Sequence, residues 1–96
     1  MCFVFKGGPR NTKIIPEGGQ IDAGDQVTCI TQASPLPDLY LWYRVDQTVE
    51  LVGTSQDLTI RQDWSGQTIE LECFVQNTVA GGVEMRDQAD EIFNVT

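Results

Sequence analysis

Hydrophobic and polar residues alternate with a period of two along most of this chain of 96 residues. Each alternating stretch is short and rich in β-branched or aromatic side chains, and a period of two is typical of strands that bury one face. Clusters of Gly, Pro, Asp and Ser separate the stretches and predict turns. The pattern predicts strands at about residues 2–5, 13–15, 26–32, 39–45, 49–52, 57–61, 68–77 and 83–95, the last with a break.

No long stretch shows the 3.6-residue period of an amphipathic helix, so helix is confined to a turn at most. Short strands at regular spacing predict an all-β fold, an antiparallel sandwich or barrel. We find no internal repeat, low-complexity segment or linker, and residues 1–96 are therefore expected to form a single domain. Since no apolar run is long enough for a signal peptide or a membrane span, we expect the chain to be a piece of a longer secreted or membrane protein.

Composition narrows the function classes. The chain has 14 acidic and 6 basic residues, a net charge of -8, and no histidine. An acidic surface disfavours nucleic acid and anionic lipid as partners, because phosphate binding depends on clustered Lys and Arg. Without histidine, histidine-dependent catalytic triads and histidine-ligated zinc sites are excluded. We therefore expect no cofactor, no metal and no direct membrane insertion.

The three cysteines are Cys2, Cys29 and Cys73. Their spacing does not fit a zinc knuckle, and a cysteine protease would need an imidazole partner, so a structural disulfide or buried free thiols remain. A bridge between Cys29 and Cys73 would stabilise so small a domain by roughly 4 kcal/mol in the chain-entropy model, and we expect that bridge. Disulfides persist in oxidising compartments, which points to the cell exterior. Cys2 is either an unpaired thiol near a boundary or half of a second bridge to a neighbouring module.

The order Cys29, Trp42, Cys73 on alternating strands resembles the immunoglobulin superfamily, over essentially the whole chain. The motifs are Val27-Thr28-Cys29, Trp42, and Leu71-Glu72-Cys73 preceded by Asp57-Leu58-Thr59-Ile60. The resemblance implies an immunoglobulin-like antiparallel β-sandwich, with two sheets joined by one inter-sheet disulfide between Cys29 and Cys73. It places Cys29, Trp42 and Cys73 on strands B, C and F, with Trp42 and Leu71 in the core.

The sequence departs from the family at the second cysteine. Most such domains carry a tyrosine two residues before it, and here Leu71 occupies that position, so the tyrosine-corner hydrogen bond is absent. We expect Trp64 to fill the base of the sandwich instead. The short separation of the cysteines leaves no room for the two extra strands of a variable-type domain. The chain is therefore similar to C2-type or intermediate-type domains, such as those of adhesion receptors.

The residues that alternate with the core positions along the strands, and so are expected to point outward, are the candidate binding site. Large apolar side chains on strands C and F, and on the last predicted strand at residues 83–95, which corresponds to strand G, are expected to point to solvent from one sheet: Leu41, Tyr43, Val45, Phe74 and Ile92. So many exposed apolar residues on one face indicate a protein-binding surface, unless a loop covers them or the register slips by one residue. The nearby charges Arg44, Asp46, Glu50, Glu70 and Glu72 would steer a basic partner or simply form a solvated face.

Weaker signals lie elsewhere in the chain. Asp46 resembles the exposed acid of integrin-binding adhesion domains, and the loops at residues 32–38 and 78–82 would form an end-on site. Asn94-Val95-Thr96 matches the N-glycosylation pattern. Glu70 and Glu72 lie on a flat face without a pocket, which gives no support to catalysis. The spacing of Asp87, Asp90 and Glu91 fits no calcium loop.

We therefore expect a non-catalytic extracellular module, at the cell surface or secreted, from an adhesion or immune-type receptor. Its partner would be a protein ligand or another immunoglobulin domain, including a second copy in a weak dimer, bound through the C-F-G sheet face. Two alternatives stay open. One is a structural spacer that binds nothing, and the other is an intracellular muscle-type domain, which would require reduced cysteines.

Overall fold

The computed structural model describes residues 7–96, which form two β-sheets packed face to face. The molecule is elongated, with extents of 54 × 23 × 17 Å. Its strands are β1 (Gly7–Ile15), β2 (Gly19–Ile21), β3 (Gln26–Ser34), β4 (Leu39–Arg44), β5 (Glu50–Gly53), β6 (Asp57–Thr59), β7 (Thr68–Val79) and β8 (Val83–Val95). Short 3-10 turns cover Gln62–Trp64 and Ala80–Gly82.

One sheet has three strands in the order β1-β3-β6, and the other has five in the order β2-β8-β7-β4-β5. Neighbouring strands are antiparallel except β2 and β8, which run parallel. After β5 the chain crosses directly to β6 in the other sheet, so the described residues hold no further strand beyond β5. The predicted all-β sandwich is confirmed, with one parallel pair that the sequence did not indicate.

Three strand predictions need correction or fall outside the described residues. Strand β2 was missed, because Gly18-Gly19 reads as a turn and its three strand residues depend on pairing with β8. The break predicted in the last strand is wrong, since β8 pairs with β7 continuously from Val83 to Asn94. The edge strand predicted at residues 2–5, together with Cys2, lies outside the described residues.

The core lies between the sheets and is pinned by the expected disulfide. Cys29 on β3 and Cys73 on β7 are bonded, with their Cα atoms 6.3 Å apart, and both are fully buried. Trp42 and Leu71 are also fully buried. The Trp42 indole Nε1–H donates a hydrogen bond of 2.8 Å to the carbonyl of Ser55, which satisfies its polar atom inside the sandwich.

Trp64 closes the base of the sandwich, where the tyrosine corner would otherwise stand. It is 3% exposed and packs with the core. The guanidinium carbons of Arg44 and Arg61 lie 5.7 and 5.4 Å from its ring centroid, within the range of a cation–π contact. The turn before β7 is held by hydrogen bonds from the Gln67 N–H to the Trp64 carbonyl (3.1 Å) and from the Gly66 N–H to the Val95 carbonyl (2.8 Å).

The opposite end is formed by the tip of the β7–β8 hairpin and the start of β1. Gly81 and Gly82 adopt positive φ of 84° and 75°, which the tight connection requires. A Cβ atom on Gly8 would come within 2.4 Å of the Met85 Cβ, so only glycine lets β1 approach the hairpin this closely. Asn77, fully buried in β7, ties the two together, because its Nδ2 donates to the carbonyls of Gly7 (3.2 Å) and Pro35 (2.9 Å).

Candidate partner-binding face

The outer face of the five-stranded sheet carries a cluster of apolar side chains at its centre. Leu41 on β4 lies directly opposite Phe74 on β7, and Tyr43 lies two residues further along β4 on the same face. Directly opposed residues of adjacent strands share a face, so these three side chains form one surface. Each is partly exposed, in contrast to the fully buried Trp42 between Leu41 and Tyr43.

The structure adds Leu51 to this cluster. Leu51 on β5 lies opposite Tyr43 and is 51% exposed. Sequence reasoning missed it because strand β5 is short and its pairing with β4 contains a register shift after Trp42, so parity alone does not assign its face. We call Leu41, Tyr43, Leu51 and Phe74 the apolar patch.

A pair of carboxylates borders the patch. Glu72 on β7 lies opposite Tyr43 on one side and opposite Asp90 on the other. Partial burial, the charge of Asp90 and a hydrogen bond with it raise the pKa of Glu72. The raised pKa means that the ionised form of Glu72 is disfavoured in the folded chain, and its contribution to stability is greatest in acid and falls as the pH rises.

Ile92 lies on the expected face but apart from the patch. Ile92 is on β8, opposite Glu70 of β7, and is 57% exposed. Phe74 lies four positions after Glu70 along β7, which corresponds to about 14 Å at a rise of about 3.4 Å per residue. The Glu72–Asp90 pair lies between them, so Ile92 is not continuous with the patch.

Arg44 and Asp46 form a closed ion pair at the base of the sandwich, because Arg44 lies opposite the buried Leu71 and over the Trp64 ring, and not on the outer face with the patch. Arg44 donates to both carboxylate oxygens of Asp46, at 2.9 and 3.0 Å, and also to the Gln67 side chain at 2.7 Å. The Asp46 carboxylate accepts a further hydrogen bond from the Glu70 backbone N–H. An Asp46 held in this way is already coordinated within its own chain, which weighs against the integrin-type role considered from the sequence.

The Arg44 guanidinium lowers the pKa of Asp46 to about 2. A carboxylate whose pKa is lowered by folding stabilises the fold at pH values above its unfolded pKa. It loses that contribution as the pH falls through its folded pKa. The Asp46 side chain is 19% exposed, so after solvent screening we expect about 1–2 kcal/mol.

We expect Asp46→Asn to be less stable than the wild type by that amount at pH 6, and the gap to close between pH 4 and pH 2. Urea unfolding of the two proteins across this pH range measures the gap directly, since all other titrating groups are shared. A gap that stayed constant down to pH 2 would contradict the assigned pairing.

The loops of the predicted end-on site are brought together by the fold. The Thr78 hydroxyl donates to the Asp38 carboxylate at 2.8 Å, and the Asp38 N–H donates to the Gln76 carbonyl. A shallow cavity of about 390 Å³ borders β2 and β8 elsewhere, while the one at this end measures about 340 Å³ and includes Pro35 and Val79. The first of these cavities is lined by the carboxylates of Glu17, Glu70, Asp90 and Glu91, so the expectation that Glu70 lies on a face without a pocket is wrong.

The remaining candidate residues are spread over the strands. Asn94 is exposed on β8 and accepts a hydrogen bond of 2.8 Å from the Thr68 hydroxyl. Asp87 and Asp90 lie on opposite faces of β8, because their numbers differ by an odd count. In residues 7–96 no group of His, Cys, Asp or Glu is arranged to hold a metal ion. This part of the chain also contains no helix with the length and apolar character needed to cross a membrane.

The topology, the inter-sheet disulfide and the buried Trp42 define an immunoglobulin-like β-sandwich. Among solved structures, the crystal structure of the N-terminal four Ig domains of Dscam1 isoform 4.44 is similar, with a TM-score of 0.58 and 20% sequence identity. The match covers 88% of this chain and 20% of that chain, so this domain spans about one fifth of the Dscam1 structure.

The likeness therefore shows the fold. No protein-family model matches the sequence, and the comparison with curated proteins finds no match either.

Proposed function

We propose that this domain is a non-catalytic, extracellular protein-recognition module of an adhesion or immune-type receptor, and that it binds through the outer face of β5, β4, β7 and β8. The observation that carries the proposal is the apolar patch. Leu41, Tyr43, Leu51 and Phe74 lie together on the central strands with no described element of the chain packed over them. Aromatic side chains in such a position are typical anchors of protein interfaces.

The location outside the cell is supported by the disulfide. Cytosolic conditions keep thiols reduced, and a buried Cys29–Cys73 bridge across the core favours an oxidising compartment over the intracellular muscle-type alternative. The apolar patch itself contains no charged side chain, which supports protein binding at the centre of this face over catalysis. A glycan on Asn94 would stand on the same sheet face but on the far side of the carboxylate pair from the patch.

A charge placed in the patch tests the proposal. Aspartate at Tyr43 or Phe74 would be desolvated by any partner, so we expect Tyr43→Asp and Phe74→Asp each to weaken binding at least tenfold (about 1.4 kcal/mol). The probe is the domain biotinylated and tetramerised on streptavidin, with binding to a panel of cell lines measured by flow cytometry. Protease treatment of the cells identifies the partner as protein.

The matched control is Ile30→Asp, which introduces the same change on the outer face of the other sheet, where Ile30 is 36% exposed. It should bind as the wild type does. Circular dichroism confirms that each variant is folded. Equal binding by the patch variants would mean that another surface binds the partner and would contradict the proposed face. No binding by the wild-type tetramer to any cell line would support the spacer alternative instead.

A further inference from the structure

The outer face of the five-stranded sheet is arranged in rows that are complementary to one another. Cross-strand register places Leu41, Phe74 and Gln88 in one row. The row on one side contains Tyr43, Glu72 and Asp90, and the row on the other side contains Leu39, Gln76 and Arg86. The central row is thus flanked by an anionic row and by a cationic row.

A two-fold axis along the central row brings these rows together in two copies. This axis lies in the plane of the interface and runs across the strands. In the second copy the strands therefore run in the opposite direction but keep their side-by-side order, so β7 faces β7 and β8 faces β8. Phe74 then meets Phe74 of the second copy, and each Asp90 meets an Arg86. An isologous interface requires such self-complementarity, because each contact occurs twice.

The side chains of the two outer rows suit these contacts. Arg86 is 58% exposed and donates its Nε–H to the Gln76 side-chain oxygen at 2.9 Å, which fixes the guanidinium on this face. Its other contact is a long one, 3.8 Å to Glu84. Because the Gln76 oxygen is occupied, its amide N–H groups remain to face the Glu72 carboxylate of the second copy. Glu72 is surrounded by Glu70, Asp90 and the Tyr43 ring, with no cation among these neighbours.

We infer that the partner of the proposed binding face is a second copy of this chain, docked through an isologous interface centred on Phe74 with paired Asp90–Arg86 contacts. The inference rests on the proposed function, since it uses the same face. Three rows on four strands span roughly 20 by 20 Å, or about 400 Å² per partner and about 800 Å² in total, which is below the roughly 1,000 Å² of a stable interface and fits a transient contact. Together with a net charge of -8 on each copy, this makes the dimer weak, with a dissociation constant above about 10 µM.

The pairing predicts a charge-swap experiment. Asp90→Arg and Arg86→Asp each place like charges at both contacts, so each variant alone should dimerise at least tenfold more weakly than the wild type. An equimolar mixture restores an Arg–Asp pair at both contacts, and it should form a heterodimer within about threefold of the wild-type affinity. Sedimentation equilibrium of the 96-residue chain, at up to about 1 mM, measures all four samples.

Lys13→Asp is the matched control for Arg86→Asp, because it makes the same charge change at an exposed position of β1 in the other sheet. It should leave the dimer unchanged. A wild-type chain that stays monomeric at 1 mM, or a mixture that associates no better than the single variants, overturns the inference. If the tetramers still bind cells through Tyr43 and Phe74 in that case, the proposed function stands and its partner is a different protein.

Discussion

Replacing both core cysteines, Cys29→Ala with Cys73→Ala, should lower the free energy of unfolding by about 4 kcal/mol at 25 °C. The bridge closes a loop with a sequence separation of 44, and the loss of this constraint gives the unfolded chain back its conformational entropy. The two sulfur atoms are also fully buried beside Trp42, so their removal leaves unfilled core volume. Total stabilities of small domains are about 5–15 kcal/mol, so this loss is a large fraction.

Urea unfolding followed by tryptophan fluorescence measures the loss. A reducing agent should destabilise the wild type by a similar amount and leave the double alanine variant unaffected, which separates the bridge from other effects of reduction. A loss below about 1 kcal/mol would indicate that packing alone holds the two sheets together.

The second large effect that we expect is that of Asn77→Asp, which should lower the free energy of unfolding by about 3–5 kcal/mol at pH 7. The Asn77 amide donates to two carbonyl oxygens at a fully buried position. In a carboxylate the Nδ2 donor is replaced by a second oxygen, which would face the two carbonyl oxygens without a hydrogen between them, and the charge would be desolvated. The Oδ1 atom has no hydrogen-bond donor among the described residues either. Asn77→Leu removes the hydrogen bonds but leaves no charge, so we expect only about 1–3 kcal/mol.

The two Asn77 variants differ in their pH dependence. Burial would raise the pKa of an aspartate at position 77 above its unfolded value, so the folded chain would bind the extra proton more readily than the unfolded chain. The deficit of Asn77→Asp should therefore shrink as the pH is lowered from 7 to 4, while that of Asn77→Leu stays constant relative to the wild type. Chemical denaturation at both pH values provides the comparison. An aspartate variant no less stable than the leucine variant would contradict the buried donor role.

The sequence predicts most reliably which face of a strand is buried, because alternation along the strand alone determines it. Strands β3, β4 and β7 bury long alternating runs on one side, so their faces and the positions of Trp42, Leu71 and both cysteines follow from the period of two. Asn77 shares that parity with Cys73 and Val75, and a polar residue in phase with the core is a signal that the sequence did contain. Its partners, Gly7 and Pro35, could not be deduced from the sequence because they are distant in the chain.

Features that depend on pairing between distant segments could not be predicted from the sequence. Strand β2 contributes only three residues, of which Ile21 alone is buried, and it is a strand because β8 runs beside it. Membership of the patch likewise depends on register. Leu51 joins it and Ile92 does not, although both are exposed apolar residues in alternating sequence. Alternation assigns a side chain to a face, and only the register assigns its neighbours on that face.

The parallel pairing of β2 with β8 has a mechanical consequence. Tension applied between residues 7 and 96 would pull the start of β2 and the end of β8 in opposite directions. Because the strands are parallel, their hydrogen bonds, together with the bond from the Thr96 N–H to the Ile21 carbonyl, would be loaded in shear and would have to break together. The disulfide would then prevent residues 29–73 from extending, so an overstretched domain would lengthen only by the segments outside that loop.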